Sequence, residues 1–227
     1  MGNEQSADPE SEMNPSVVAN RMPPTSFNEK YYHPVLSRVV WPQEYSLSTY
    51  TSANISEGDL KSCLQLVRTT SMDGYKASTW GWSEKKKLNE MKEKAMRFLI
   101  IRRSESQAQP QESVADAANV LGFLSFMLTV EDDIEVVYCY EVHLLPELRG
   151  QKLGATLMRI MEDIGKTAGM SKSMLTVFTS NTAATAFYER LGYTRYDEEA
   201  PPPRKRLRSR TTEQPKPTFV ILAKDLG

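Results

Sequence analysis

The stretch "VVYCYEVHLLPELRGQKLGATLMRIM", Val136 to Met161, decides the expected fold. Its first half is β-branched and aromatic and reads as a strand. A short loop follows. From Leu153 to Ala168 the apolar residues Leu157, Ile160, Met161 and Ile164 recur at helical spacing. Arg149-Gly150-Gln151-Lys152-Leu153-Gly154 lies at the junction of loop and helix. A helix N-terminus presents unpaired backbone N–H groups and about half a positive charge. Glycine beside it permits positive φ and close approach of an anion. Phosphate or pyrophosphate is the natural guest. No Gly-Lys-Ser/Thr completes a Walker A loop, and no Gly-x-Gly-x-x-Gly is present.

Working outward, the preceding segments carry three strand patterns. These are "RFLII" from Arg97, "VLGFLSFMLTVED" from Val120 and "IEVVYCYEVHLL" from Ile134. The last two flank Glu131-Asp132-Asp133 and are expected to form a hairpin. By the strand period of two, Tyr138 and Tyr140 share one face and Glu141 takes the other. Upstream, Ser56 is an N-cap candidate for a helix carrying Leu60, Cys63, Leu64 and Val67. A second helix reads from Ser83 to about Ala95, with Leu88 and Met91 on one face and lysines elsewhere. Downstream come the strand "MLTVFT", a helix from Asn181 to Leu191 stopped by Gly192, and the strands "YTRY" and "TFVILAKDL". Hairpin-linked strands outnumber strand–helix alternations. The expected class is α/β: a mixed, mostly antiparallel central sheet flanked by helices on both faces.

The chain of 227 residues suits one domain with tails. Residues 1–28 are polar, lack periodicity and are expected to be a disordered tail. The domain is expected over 29–227, with Tyr31 to Trp41 packed on it and a basic, Pro-rich insert at about 198–216. The N-terminal Gly2 and Ser6 fit a loose myristoylation pattern, but one acyl chain anchors weakly, and an unmodified tail is the expectation. A net charge of -1 argues against a chain-wide nucleic-acid surface. Two distant cysteines, Cys63 and Cys139, without a His cluster, imply no metal site. No apolar run is long enough for a membrane span, so no membrane partner is expected. A monomer is expected.

Four elements in order resemble the GNAT acetyltransferase superfamily. The loop has Arg149-x-x-Lys152-x-Gly154, where the family's pattern is Arg/Gln-x-x-Gly-x-Gly/Ala. It follows a strand ending in Val142, His143 and Leu144. Asn181 opens a downstream helix, and Tyr188-Glu189-Arg190-Leu191-Gly192-Tyr193 matches the family's Tyr-x-x-Leu-Gly-Phe/Tyr ending. "YKASTWGW" at Tyr75–Trp82, "YCYEV" at Tyr138–Val142 and "MLTVFTSN" at Met174–Asn181 are similar to the NatD type of N-terminal α-amino acetyltransferases. Those enzymes act on histone tails beginning Ser-Gly-Arg-Gly (histones H-four and H-two-A). The resemblance spans about residues 30–227. The chain departs from the family in Lys152, in the long basic insert, and in Phe219 where the family has tyrosine.

The resemblance implies a GNAT fold and acetyl-CoA as co-substrate. Val142, His143 and Leu144 are implied to hold the pantetheine arm. Arg149, Gly150, Gln151, Lys152, Leu153, Gly154 and Ala155 are implied to hold the pyrophosphate, with Asn181 a further contact. A positive φ at Lys152 would cost lysine about 1 kcal/mol or more, and its ammonium could offset this at a phosphate. Glu141 is the expected general base, its pKa raised by burial toward working pH. Tyr140 is expected beside the substrate, and Tyr188 as donor to the leaving thiolate. Glu131 is expected to pair with the substrate's arginine. Thr129, Val130, Tyr75, Tyr140, Thr176 and Phe219 complete the implied peptide slot. His33 and His143 have no ligand pattern. The alternatives are a GNAT enzyme acting on lysine or a small amine, and a non-catalytic tail-binding module. The block Arg204-Lys205-Arg206-Leu207-Arg208-Ser209-Arg210 reads as a nuclear import signal or as a contact for nucleic acid or ribosome. Nucleus and cytoplasm are the expected locations.

Overall fold

The computed structural model describes residues 13–104, 120–196 and 217–227. Seven strands among these residues form one sheet: β1 (Tyr45–Thr51), β2 (Arg97–Arg103), β3 (Gly122–Glu131), β4 (Ile134–Leu144), β5 (Lys172–Phe178), β6 (Thr194–Arg195) and β7 (Phe219–Asp225). Their order is β1-β2-β3-β4-β5-β7-β6. Every pairing is antiparallel except β4 with β5. The expected hairpin joins β3 to β4 through Asp132 and Asp133, at φ 48 and 62. A two-residue turn of this kind needs positive φ at both positions, and aspartate tolerates it better than most side chains. The edge strand β1, "YSLSTYT", was not expected. Its half-buried residues give no alternation to read.

The helices are α1 (Pro15–Arg21), α2 (Pro24–Phe27), α3 (His33–Leu36), α4 (Glu57–Ala77), α5 (Glu84–Met91), α6 (Leu153–Thr167) and α7 (Thr182–Arg190). A π-turn at Asn28–Tyr32 joins α2 to α3. Ser56, Ser83 and Asn181 cap α4, α5 and α7 by accepting from the N–H of Asp59, Lys86 and Ala184. Leu60, Cys63, Val67 and Met91 of α4 and α5 pack on one sheet face, against Phe98, Ile100 and Phe123. The stripe of α6 and the N-terminal helices pack on the other, against Leu99, Leu124, Phe126 and Val137. Helices thus cover both faces of a mixed sheet, as expected.

The N-terminal expectation needs correction. Residues 13–28 carry α1 and α2, each opened by proline, and they bury Ala19 and Phe27. The buried Arg97 fixes this strap. Its guanidinium stacks 3.7 Å from the centroid of Phe27 and donates to Ala19 O and Asn20 Oδ1. Residues 1–12 and the basic insert at 198–216, with its import block, lie outside the described residues.

Two irregularities in β4 build the site. Ser125 pairs with Glu141 and Phe126 with Cys139, so Tyr140 is an extra, bulged residue. The bulge resets the alternation. Cys139 packs on the α6 face, whereas Tyr140, Glu141 and His143 turn toward α4 and α5, and the Tyr138 ring lies 5.4 Å from that of Tyr140 on the same side. The expectation that Glu141 lies opposite the two tyrosines is therefore overturned. The second irregularity is a fork. β4 and β5 pair only from Val136–Lys172 to Cys139–Leu175, then separate. Among the described residues the backbone of Glu141–Leu144 has no strand partner on its β5 side.

Candidate active site

The fork opens into a cleft of about 930 Å³. It is walled by β4, β5, α4, α5, α7 and the start of α6. At one end lie Arg149, Lys152 and Arg190; Glu90 and Glu131 line it as well. Arg149 and Lys152 immediately precede α6, and Arg190 ends α7. Gly150 (φ 77) and Lys152 (φ 62) are both left-handed there, which turns the loop into the helix. Lys152 is the N-cap and makes no side-chain capping bond. The first backbone donor to close the helix is Thr156, on Lys152 O. The N–H groups of Leu153, Gly154 and Ala155 remain for a guest. A Cβ built on Gly150 would meet nothing within 4 Å, which leaves the loop open to a bulky anion. These features fit the pyrophosphate of acetyl-CoA. Gln151 points away, its amide donating to Glu147 O. Asn181 lines the cleft while its Oδ1 caps α7.

Glu141 occupies the middle of the cleft and is buried. Oε1 accepts from Tyr75 Oη at 2.9 Å and from Lys87 Nζ at 2.8 Å; Oε2 meets His143 Nε2 at 2.6 Å. Burial alone would raise its pKa, but the Lys87 ammonium and the His143 hydrogen bond outweigh it, and the carboxyl falls to about 2. The expectation of a base raised toward neutrality is thus corrected. Desolvation is present, but the partners decide the sign. Lys87 is itself buried, which would lower its pKa; Glu141, Tyr75 and Glu90 reverse that and keep it an ammonium. Its Nζ also bonds Glu90 Oε1 at 2.6 Å and sits 4.7 Å from the Tyr75 ring.

Of the other expected residues, the cleft brings together Tyr75, Glu131, Tyr140, Val142, His143, Leu144, Thr176 and Tyr188. Tyr138 Oη and Thr176 Oγ1 meet at 2.6 Å across the crotch of the fork. Burial, then Glu131, raises Tyr140 to about 12, so it remains a neutral phenol. Tyr188 is buried beside Cys139 and Glu141, and burial holds its phenol protonated as well. Burial, then Asp132, raises Glu131. Thr129 and Val130 precede it on β3 but do not line the cleft, and Val130 is exposed. Phe219 stands outside the lining and stacks on Trp80 at 4.4 Å. Trp80 in turn meets Phe178 and Tyr75, so an aromatic wall closes this side.

Sequence reasoning missed Lys87, Thr70 and the side chain of His143. By sequence Lys87 falls among the lysines off the apolar face of the second helix. Its signal was its place four residues before Met91, on the buried stripe of α5. His143 was assigned through its backbone, yet its ring joins Glu141 to Thr70 Oγ1, 2.6 Å from Nδ1. Only the bulge, invisible in residue spacing, could have placed it there.

Residues 76–193 match the acetyltransferase (GNAT) family. Several solved structures share the fold. An acetyltransferase from Streptococcus agalactiae has a TM-score of 0.55 at 14% identity, covering 81% of this chain and 99% of that one. A GNAT-family acetyltransferase from Staphylococcus aureus scores 0.53 at 9% identity, covering 80% and 100%. The NatC complex bound to Gag peptide and CoA scores 0.52 at 14% identity, covering 81% and 99%. At these identities the likeness is one of fold. The family match spans more than half of the chain, over the fork, the α6 loop and α7, and on that ground the chain belongs to the acetyltransferase (GNAT) family.

Proposed function

We propose that the protein transfers the acetyl group of acetyl-CoA to the N-terminal α-amine of peptides, and that its preferred substrates are histone tails beginning Ser-Gly-Arg-Gly. One observation carries the reading. The cleft has a basic end at Arg149 and Lys152 and acidic residues, Glu90 and Glu131, in its lining, with the buried carboxylate of Glu141 central to it. A polyanionic donor and a cationic acceptor fit that polarity. The likeness of "YCYEV" and "WGW" to NatD-type enzymes supports the peptide class. The NatC structure, which shares the fold, holds a peptide and CoA.

In this reading the N–H groups of Leu153, Gly154 and Ala155 and the Lys152 ammonium hold the pyrophosphate. The unpaired backbone of Val142–Leu144 holds the pantetheine arm. Acetyl-CoA supplies an electrophilic thioester carbonyl when bound. An α-amine has a pKa of about 7.7–8.0 against about 10.4 for lysine, so much of it is neutral near pH 7. Glu141 draws the amine in as a fixed negative charge. Its proton passes toward the carboxylate through the Tyr75 hydroxyl, which donates to Oε1. Tyr140 shapes the slot as a neutral phenol. Tyr188, also neutral, gives a proton to the departing sulfur. Glu131 pairs with the arginine at the third position, and the wall of Trp80, Phe178 and Phe219 covers the peptide.

The test is a pair of peptides, Ser-Gly-Arg-Gly and Ser-Gly-Glu-Gly, given to the wild type and to Glu131→Gln. The wild type should favour the arginine peptide by about tenfold or more, and the variant should lose most of that preference. Equal rates on both peptides with the wild type would sink the Ser-Gly-Arg-Gly assignment.

A further inference from the structure

We propose that Gly74 and Phe178 set how bulky an acceptor the cleft admits. The Phe178 ring seats on the bare backbone of α4 at Gly74, and this seat fixes where the aromatic wall stands relative to Glu141. The proposal rests on the reading that the acceptor amine meets Glu141 beside that wall. Gly74 is a positioning residue that acts through Phe178.

α4 runs from Glu57 to Ala77, so Gly74 stands in its last turn, still inside the helix. Glycine there is costly beside alanine. Its φ is not positive, so no turn demands it. A close neighbour does. A Cβ built on Gly74 would lie 2.8 Å from Cδ2 of Phe178, 3.2 Å from Cε2 and 3.5 Å from Cγ. These are consecutive atoms along one edge of the ring. At 2.8 Å either the ring or the helix must shift. The missing side chain is what lets α4 and the end of β5 meet.

Phe178 has little room to give way. Its backbone is held in the β5–β7 ladder opposite Phe219. The Tyr75 ring meets it edge-on at 4.9 Å, and the Trp80 ring stands 5.9 Å away. The side left to it is the cleft, which Phe178 lines together with Tyr75 and Trp80. Thr176, two residues earlier on the same face of β5, lines it too and meets Tyr138 across the fork. α4 is tied as well, because Tyr75, the next residue, donates to Glu141 Oε1. One turn of α4 thus carries both the seat of the wall and a hydrogen bond to the central carboxylate.

A methyl group at position 74 therefore drives the Phe178 ring into the acceptor side of the cleft. The basic end is built by other elements, the loop before α6 and the end of α7. The fit of the donor should not change. Acceptors should lose in order of the bulk they carry beside the amine, as they do in a tight pocket that gains one carbon.

The test uses Gly74→Ala, Phe178→Leu and the double variant of the full chain. The acceptors are free-ended peptides that begin with Gly, Ala or Ser and are otherwise identical. Gly74→Ala should raise KM by about tenfold or more for the Ser peptide, less for Ala and least for Gly, with KM for acetyl-CoA within about twofold. Adding Phe178→Leu should recover most of the loss on the Ser peptide, because the shorter side chain clears the new methyl. Gly74→Ala should also lower Tm in the wild type and raise it in Phe178→Leu, where the helix gains alanine without the clash. An equal change in KM for the three peptides, no change at all, or a Tm shift of the same sign in both backgrounds would overturn the proposal. The melting comparison needs no turnover. A wild type inactive on every peptide would fail the functional reading, and the sign of the two Tm shifts would still decide whether Gly74 seats Phe178.

Discussion

Lys87 Nζ lies 2.8 Å from Glu141 Oε1, and both side chains are 7% exposed. A buried ion pair of this kind is strongly held as a pair and costly to break from one side. It also sets what Glu141 can do. The carboxylate carries a fixed charge at the centre of the cleft, with Tyr75 and His143 completing its shell.

The first prediction concerns acid. Glu141 has a folded pKa of about 2, below its unfolded value. Its ionised form therefore stabilises the fold fully above about pH 4.3, the ordinary glutamate value. That stability is lost as pH falls through about 2. Denaturant titrations across this window should show the wild type weakening more steeply than Glu141→Gln. Parallel curves would show that the pair contributes nothing.

Lys87→Met should cost about 3–5 kcal/mol, because it strands a buried carboxylate. Adding Glu141→Gln to it should recover part of the loss. A double variant as unstable as the sum of the singles would contradict a coupled pair.

Much of this fold is legible in the residues. Ser56, Ser83 and Asn181 announce three helices because a capping side chain has a fixed job. Asp132-Asp133 announces the hairpin because few residue types accept its backbone. The loop before α6 is legible because Gly150 precedes a helix start. The rest depends on tertiary contacts. The N-terminal strap reads as a polar tail, and its burial of Ala19, Phe27 and Tyr31 in the core, with Arg97 beneath Phe27, makes it structure. The Glu141 network depends on one bulged residue, Tyr140, which residue spacing does not register. Lys87 reads as a solvent-facing charge until Glu141 is placed opposite it.

Lys152 gives a prediction with two opposed parts. Its left-handed φ of 62 costs a non-glycine residue about 1–2 kcal/mol. Glycine would remove that cost and return about 0.4–1 kcal/mol through a freer unfolded chain. Lys152→Gly should raise thermal stability by about 1 kcal/mol or less. It should also weaken acetyl-CoA binding severalfold, with a shallower dependence on salt. Unchanged affinity and salt dependence would remove the ammonium from the phosphate site.

Arg97 tests the strap. Arg97→Leu loses the stack on Phe27 and the bonds to Ala19 O and Asn20 Oδ1. A loss of about 2–4 kcal/mol is expected. Protease cleavage within residues 13–36 should accelerate. Unchanged cleavage would mean that the strap is held by its apolar contacts alone.

The central claim is transfer to an α-amine, and mass spectrometry tests it most directly. A Ser-Gly-Arg-Gly-initiated peptide containing lysines is incubated with the protein and acetyl-CoA, beside an N-terminally blocked copy. The account predicts one added acetyl group on the free-ended peptide and none on the blocked one. Acetylation of both peptides alike, or of neither, would contradict it.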